Sequence, residues 1–277
     1  MKIAVLLFGH LRTFEYCAPF LRANLLDKYN CDVFMHTWDT FDSETLAWYN
    51  RTDKTTKISD DILQKIKELF NPKKIEIGHQ VIKKETIIKS LIDDKKNSLN
   101  GMLFMFQSMN CANSLRKQYE KETGIKYDIV IVTRPDVALF NFLNIEKILK
   151  ESKIMNLDLN KTRFFAGLYG AADTNVGLII SRISDILFFG KPKVIDKYIL
   201  SNSNITKEYA KKHFLNITSI YSSNEIKAGI IPVQICFEYV KDWRNIKPQD
   251  LIPATQNKKT HNSLYKFFHF YWLRGKK

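Results

Sequence analysis

Three stretches of the chain are dominated by apolar side chains and end abruptly in polar ones. They cover residues 2–8, 31–38 and 127–133. Short apolar runs of this kind, rich in β-branched residues, are typical of strands buried on both faces of a mostly parallel sheet. The pattern therefore predicts such a sheet, with the run at 128–133 near its centre.

The segments between these runs show the periodicity of helices. Apolar positions recur at helical spacing from Phe14 to Leu26, and residues 59–70 and 102–122 predict two more helices, the second ending before Gly124. Strands that alternate with helices form β–α–β units with right-handed crossovers. We therefore predict an α/β fold, a single-domain α/β/α sandwich with a mostly parallel central sheet.

The second half of the chain repeats the alternation less regularly. It predicts strands at 163–167, 176–181, 182–190 and 230–239, and helices at 144–150, 206–215 and directly after Lys191. No internal repeat or low-complexity linker divides the chain. One domain with additions is therefore the simplest organisation.

The buried run at 128–133 ends in Thr133-Arg134-Pro135-Asp136. Pro135 cannot donate to a sheet ladder and pushes Arg134 out of the helical region, so strand pairing should stop there. Ligands of open α/β sheets sit at the carboxyl ends of the strands. Arg134 and Asp136 are therefore candidate site residues, although a turn in which they only pair with each other explains the local pattern equally well.

Polar residues also follow the other two strands. Gly9 would let a ligand approach the backbone, and Arg12 is placed to meet a phosphate near a helix N-terminus. His36 and Trp38 end the second strand, and Gln107 is a polar exception in an apolar half of a helix. The alternatives are a plain turn at Gly9, a structural role for His36, a core position for Trp38 and an exposed position for Gln107.

Composition narrows the classes of partner. Lys and Arg outnumber Asp and Glu by 43 to 29, a formal charge of +14, which favours nucleic acid, an anionic bilayer surface or phosphorylated substrates without choosing among them. The four cysteines, Cys17, Cys31, Cys111 and Cys236, form no CxxC pair and their spacing matches no zinc site. Reduced, mostly buried thiols in a cytoplasmic protein are therefore expected, and the N-terminal apolar run is too short for a signal peptide.

Residues 261–277 differ in character from the rest. Aromatic and apolar side chains alternate there with Lys and Arg. This composition suits a helix lying on an anionic membrane surface, here the inner face of the cytoplasmic membrane, and it equally suits a terminal helix whose aromatics pack on the body. No nucleic-acid-binding module accompanies it, so no nucleic-acid partner is expected.

Four segments within about the first 200 residues occur together in one order and spacing. They are Ile3-Ala-Val…Gly9-His-Leu-Arg12-Thr-Phe14, Cys31-Asp-Val-Phe-Met-His-Thr-Trp-Asp39, the block from Gln107 to Tyr127-Asp-Ile-Val-Ile-Val-Thr-Arg-Pro-Asp136, and Ser184-Asp185…Gly190. Together they resemble a family of bacterial glycosyltransferases of capsule and lipopolysaccharide (lipooligosaccharide) assembly. The chain departs from the family pattern at Ser184, where Asn is usual, and at His10, where Gln is common.

The resemblance implies a GT-A-like domain at residues 1–260. Its nucleotide-binding half would end near residue 140 and its acceptor half would cover 141–260, with the donor nucleotide-sugar near Gly9, Arg12, His36, Trp38, Gln107 and Arg134. Asp136 would be the ligand of Mn²⁺ or Mg²⁺, although Arg134-Pro-Asp136 is only a partial DxD motif. Asp185 is the candidate base for the acceptor hydroxyl, with Asp173 and Glu225 as rivals.

The predicted activity is transfer of a sugar from a nucleotide-sugar to a saccharide or lipid-linked acceptor of capsule or lipopolysaccharide assembly. Two other functions stay open at this point. One is transfer of a phosphate-containing group on the same scaffold, and the other is non-enzymatic nucleic-acid binding, which only the positive charge suggests.

Overall fold

A computed structural model describes residues 1–42, 56–81, 87–89, 96–139, 142–154, 158–160, 163–165, 187–200 and 237–239. The elements are, in chain order, β1 (Ile3–Phe8), α1 (Phe14–Leu21), a π-helical turn (Arg22–Leu26), α2 (Asp27–Tyr29), β2 (Asp32–Trp38), α3 (Asp60–Phe70), β3 (Lys74–Gly78), β4 (Ile87–Lys89), β5 (Lys96–Ser98), α4 (Leu99–Thr123), β6 (Ile129–Thr133), β7 (Val137–Leu139), α5 (Ile145–Ile154), β8 (Arg163–Phe165), β9 (Leu187–Gly190), α6 (192–200) and β10 (Phe237–Tyr239).

A six-stranded sheet in the order β3-β2-β1-β6-β9-β8 organises these elements. β1 lies at its centre and pairs in parallel with both β2 and β6, so that Phe8 is beside His36 and Leu7 beside Thr133. β3 continues the parallel set, whereas β9 runs antiparallel to β6 and to β8. The predicted α/β class with a mostly parallel central sheet is confirmed.

Helices cover both faces of this sheet. Val5 and Leu7 of β1 share one core cluster with Phe14 of α1 and Ile66 of α3. Leu6 and Phe8, which point to the opposite face of β1, belong to the other core cluster. They share it with Phe106 and Met109 of α4 and with Tyr198 of α6. Every residue of β1 is buried, because successive side chains of the strand face two different helical layers.

The path of the chain reverses next to β1. From β1 it passes through α1 to β2 and then to β3 on one side, and it later passes through α4 to β6 on the other side of β1. β1 and β6 are therefore the neighbouring strands at which the strand order changes direction. Connections leave such a switch point toward opposite faces of the sheet, which opens a crevice at the carboxyl ends of the two strands.

The element boundaries follow local chemistry. β6 ends at Thr133, directly before Arg134 and Pro135, as the sequence predicts. α4 runs from Leu99 to Thr123 and is followed by Gly124 at φ +73°, a conformation that favours glycine after a helix.

Much of the irregular second half lies outside the described residues. Within the part that is described, β8, β9, α6 and β10 match parts of predicted elements. The predicted strand at 176–181 and the predicted helix at 206–215 lie outside the described residues. The segment at 261–277 and the boundary near residue 260 also lie outside them. Among the helices that the structure describes, none combines the length and apolarity needed to cross a bilayer.

Candidate functional site

A buried network of arginines and aspartates lies where β6 ends. The Asp136 carboxylate is fully buried and accepts three guanidinium hydrogen bonds. Arg134 donates from Nε and Nη2 at 2.8 and 2.7 Å, and Arg12 donates from Nη1 at 2.9 Å. Arg134 and Asp136 thus do pair with each other, but the pair also joins a residue 124 positions away in the sequence.

Arg12 reaches this network from an unusual backbone conformation. Its φ is +45°, and apart from asparagines it is the only non-glycine residue with positive φ in the described part of the chain. A left-handed conformation costs a side-chain-bearing residue about 1–2 kcal/mol. The conformation is held by a bond from the Arg12 backbone N–H to the Phe41 carbonyl, 3.1 Å, and by an ion pair from Arg12 Nε to Asp42, 2.7 Å.

The network occupies the switch point of the sheet. Arg12 follows β1 and Asp136 follows β6, and these are the two strands between which the strand order reverses. Three of the predicted site residues, Arg12, Arg134 and Asp136, are therefore brought into direct contact at the edge of the sheet where α/β proteins bind ligands.

A second polar cluster joins the end of β1 to β2 and α4. Ser108 Oγ accepts the Gly9 backbone N–H at 2.8 Å and lies 2.8 Å from His36 Nδ1. Gly9 has φ +94°, which a residue with a side chain rarely adopts. Burial lowers the pKa of His36 to about 4, so its imidazole is neutral at pH 7.

Trp38 lies inside this cluster and is almost completely buried. Its ring packs edge-on against His36, with centroids 4.8 Å apart, and against Phe104 at 5.5 Å. Here Trp38 has the position of a core residue, which was the alternative to a base-stacking role. His10, also buried, bonds through Nδ1 to the Thr40 carbonyl at 3.0 Å and through Nε2 to the Gln80 amide at 3.2 Å.

Ser108 and Asp42 are central to these clusters, and neither was predicted from the sequence. Gln107 was the candidate on α4, but it is exposed, and its neighbour Ser108 faces the sheet. No role was predicted for Asp42. The buried stripe of α4 passes through Phe104 and Phe106, and Ser108 lies within that stripe, which is the signal that could have identified it.

The predicted catalytic carboxylates cannot be placed. Asp185, Asp173 and Glu225 all lie outside the described residues, as does most of the predicted acceptor half. Their roles stay predictions. The donor-binding roles of Gly9, Arg12, His36, Trp38, Gln107 and Arg134 likewise stay predictions.

The surroundings of Asp136 do not fit a divalent cation. Both of its oxygens accept guanidinium N–H groups, and the nearest charged partners, Arg12 and Arg134, are positive. A metal ion there would have to displace those bonds and would be repelled by both arginines. The described residues do contain a group that could hold a metal, His36, Glu76 and Cys111, on the other side of β1.

Fold and site together define an α/β protein with a buried charged network at its switch point. The chain belongs to the family described as Domain of unknown function (DUF7796), whose model matches residues 1–186 and so includes the whole of this network. No curated protein matches the chain. Among solved structures, it is similar to a glycosyltransferase involved in the glycosylation of the major capsid of PBCV-1, with 9% identity and a TM-score of 0.38 over 83% of this chain and 82% of that one.

Proposed function

We propose that the protein is a glycosyltransferase that binds a nucleotide-sugar at the carboxyl ends of β1 and β6. The acceptor we propose is a saccharide or lipid-linked intermediate of capsule or lipopolysaccharide assembly. The observation that carries the proposal is the buried contact of Arg12 and Arg134 with Asp136 at the switch point of the sheet. The sequence motifs that contain these three residues support it.

The exposure of the network favours an anionic ligand. The side chains of Arg12 and Arg134 retain 13% and 18% of their accessible surface, whereas that of Asp136 retains 0%. An anion in the crevice would therefore meet guanidinium groups and not the carboxylate between them. Guanidinium groups bind phosphate oxygens through paired hydrogen bonds, which suits a diphosphate.

The same arrangement suits the chemistry of sugar transfer. Cleavage of the bond between the sugar and the nucleotide develops negative charge on the leaving diphosphate. Groups that already point at this charge stabilise the transition state without reorganising. Asp136 holds both arginines in fixed orientations through charge-assisted bonds, so its proposed role is to position them.

No step of this proposal passes through a metal ion at Asp136. The arginines supply the positive charge that Mn²⁺ or Mg²⁺ supplies in a DxD site. The proposed enzyme should therefore keep its activity in excess EDTA. Loss of sugar transfer in EDTA that Mn²⁺ or Mg²⁺ restores would favour the metal role predicted for Asp136 instead.

The acceptor side of the reaction is proposed from the sequence alone. Asp185, or else Asp173 or Glu225, would accept the proton of the acceptor hydroxyl as it attacks the anomeric carbon. The basic aromatic segment at 261–277 would bring the enzyme to an anionic membrane that carries a lipid-linked acceptor.

The experiment is a screen of UDP-, GDP- and CMP-sugars for hydrolysis and binding by the full chain. A positive donor is then tested with Arg134→Lys, which keeps the charge but loses the two-bond contact to Asp136. The matched control is Arg22→Lys, because Arg22 makes a similar two-bond contact to Asp27 at the exposed surface.

We expect Arg134→Lys to lower turnover roughly 10²-fold, the usual effect of removing one electrostatic donor, and Arg22→Lys to leave it unchanged. Circular dichroism would confirm that both variants are folded. No response to any nucleotide-sugar would contradict the proposal. Salt-sensitive binding to arbitrary DNA in that case would favour the nucleic-acid alternative, and transfer of a phosphate-containing group would favour the other transferase.

A further inference from the structure

We propose that His36, Glu76 and Cys111 form a zinc site that fastens the edge strand β3 to β2 and α4. Their ligand atoms all lie within 4.8 Å of one another. His36 and Glu76 are direct neighbours in the pairing of β2 with β3, and Cys111 comes from α4, which packs over both strands. Three separate elements thus deliver an imidazole, a carboxylate and a thiol to one place.

The hydrogen bonds around Ser108 prepare His36 to act as a ligand. Ser108 Oγ accepts the Gly9 N–H and donates its proton to the His36 carbonyl at 3.3 Å. With its proton on that carbonyl, Ser108 Oγ accepts a bond from a protonated His36 Nδ1, 2.8 Å away. This places the lone pair of the ring on Nε2, and histidine ligands of metals commonly have their other nitrogen fixed in this way.

The backbone of β3 passes close to that nitrogen at Gly78. A Cβ atom at Gly78 would lie 2.7 Å from His36 Nε2 and 3.1 Å from His36 Cε1. Any other residue at this position would therefore crowd the imidazole. Glu76, two residues earlier, is exposed, so its carboxylate can move to close the coordination sphere.

The set of ligand atoms selects the metal. Imidazole, thiolate and carboxylate together suit Zn²⁺, whereas Mg²⁺ and Ca²⁺ prefer oxygen ligands alone. Cysteine binds Zn²⁺ as the thiolate, so binding at Cys111 would release the thiol proton. Three protein ligands leave a fourth position for water.

The site would act on the stability of a sheet edge. β3 is the outermost strand on its side of the six-stranded sheet. A ligand that binds only the folded state stabilises it by mass action, so Zn²⁺ should raise the melting temperature. This inference does not depend on the proposed glycosyltransferase activity, because metal binding and melting are measured without a nucleotide-sugar.

The test is titration of the EDTA-stripped full chain with Co²⁺ as a spectroscopic substitute, followed by competition with Zn²⁺. We expect one Co²⁺ per chain, with a near-ultraviolet thiolate-to-cobalt absorption band. Cys111→Ser should abolish the band. Cys31→Ser, which changes another half-buried free thiol, should retain it.

Glu76→Gln provides the second variant, because this exposed side chain can change without disturbing the core. We expect it to weaken Co²⁺ and Zn²⁺ binding about tenfold or more, the scale on which mutations around a metal reduce affinity. Glu122→Gln, also exposed and paired with Lys74 of β3, should not. Absence of the band, its survival in Cys111→Ser, or unchanged affinity in Glu76→Gln would overturn the proposal.

Discussion

Replacing Asp136 by Asn tests whether the buried arginine network is built around one negative charge. The substitution keeps the shape of the side chain and removes its charge. In the protein, three guanidinium N–H groups of Arg12 and Arg134 donate to Asp136, whose side chain has no exposed surface. Asparagine offers one acceptor oxygen, and its NH₂ group would face N–H donors.

The expected loss is large because the two arginines would lose their shared counter-charge inside the protein. Removing one partner of a buried ion pair typically costs about 3–5 kcal/mol. The matched control is Asp27→Asn. Asp27 accepts two hydrogen bonds from Arg22, as Asp136 does from Arg134. The Asp27 side chain, however, is 55% exposed and the Arg22 side chain is 38% exposed. An exposed pair contributes about 0–1 kcal/mol.

Urea unfolding measures the difference, since urea, unlike guanidinium chloride, does not screen charges. We expect Asp136→Asn to lower the unfolding midpoint by an amount that corresponds to about 3–5 kcal/mol, with an unchanged dependence on urea concentration. A loss below about 1 kcal/mol, equal to that of Asp27→Asn, would show that the network does not depend on this carboxylate.

Three further outcomes are expected from the second polar cluster. Ser108→Ala should lower the free energy of unfolding by about 1–3 kcal/mol, because it leaves the buried Gly9 N–H unpaired. Ser114 is exposed on the same helix, and Ser114→Ala should change that free energy by less than about 0.5 kcal/mol. Equal losses of the two variants in urea unfolding would contradict this prediction. Gly78→Ala should cost about 1–3 kcal/mol by crowding His36, whose Nε2 would lie 2.7 Å from the new Cβ; a fully stable variant in thermal unfolding would refute it. With EDTA present, the free energy of unfolding should fall as pH falls from 6.5 to about 4, because burial lowers the pKa of folded His36 to about 4 and the ring stays neutral while the unfolded chain binds a proton. Relative to His36→Gln, the free energy of unfolding should change by up to about 1.4 kcal/mol per pH unit. Equal pH dependence in the two proteins would refute the assignment.

The sequence predicts the central sheet well because its strands are specified locally. β1, β2 and β6 are buried on both faces and so appear as apolar runs. Pro135 marks the end of β6 for a steric reason that acts within two residues. The long helix α4 is likewise visible in its spacing of Phe106, Met109 and Ala112, all of which are buried.

The candidate site is predicted only in part because its contacts are not local. Arg134 and Asp136 were found as a polar strand end, but nothing in the sequence indicates that Asp42 would bind Arg12. The left-handed conformation of Arg12 is also a product of these contacts and not of residue preference. The metal-ligand role of Asp136 was taken from a motif. Arg134 stands beside Asp136 in the sequence, but the second arginine that makes a metal unfavourable there, Arg12, becomes apparent only in three dimensions.

The group of His36, Glu76 and Cys111 shows the same limit for cysteine patterns. The spacing of the cysteines matches no zinc motif, because the three proposed ligands come from β2, β3 and α4. Strand pairing sets His36 beside Glu76, and the packing of α4 supplies the thiol. Sequence spacing detects metal sites whose ligands are close along the chain, and this group is assembled by the fold.

The central claim is that Arg12 and Arg134 bind the diphosphate of a nucleotide-sugar at the switch point between β1 and β6. The most direct measurement is a crystal structure of the full chain soaked with the UDP-, GDP- or CMP-sugar that binds best. We expect phosphate oxygens within hydrogen-bond distance of one or both guanidinium groups, with Asp136 still paired to them. Phosphates bound elsewhere on the protein, or no nucleotide bound from any of the three classes, would contradict the account.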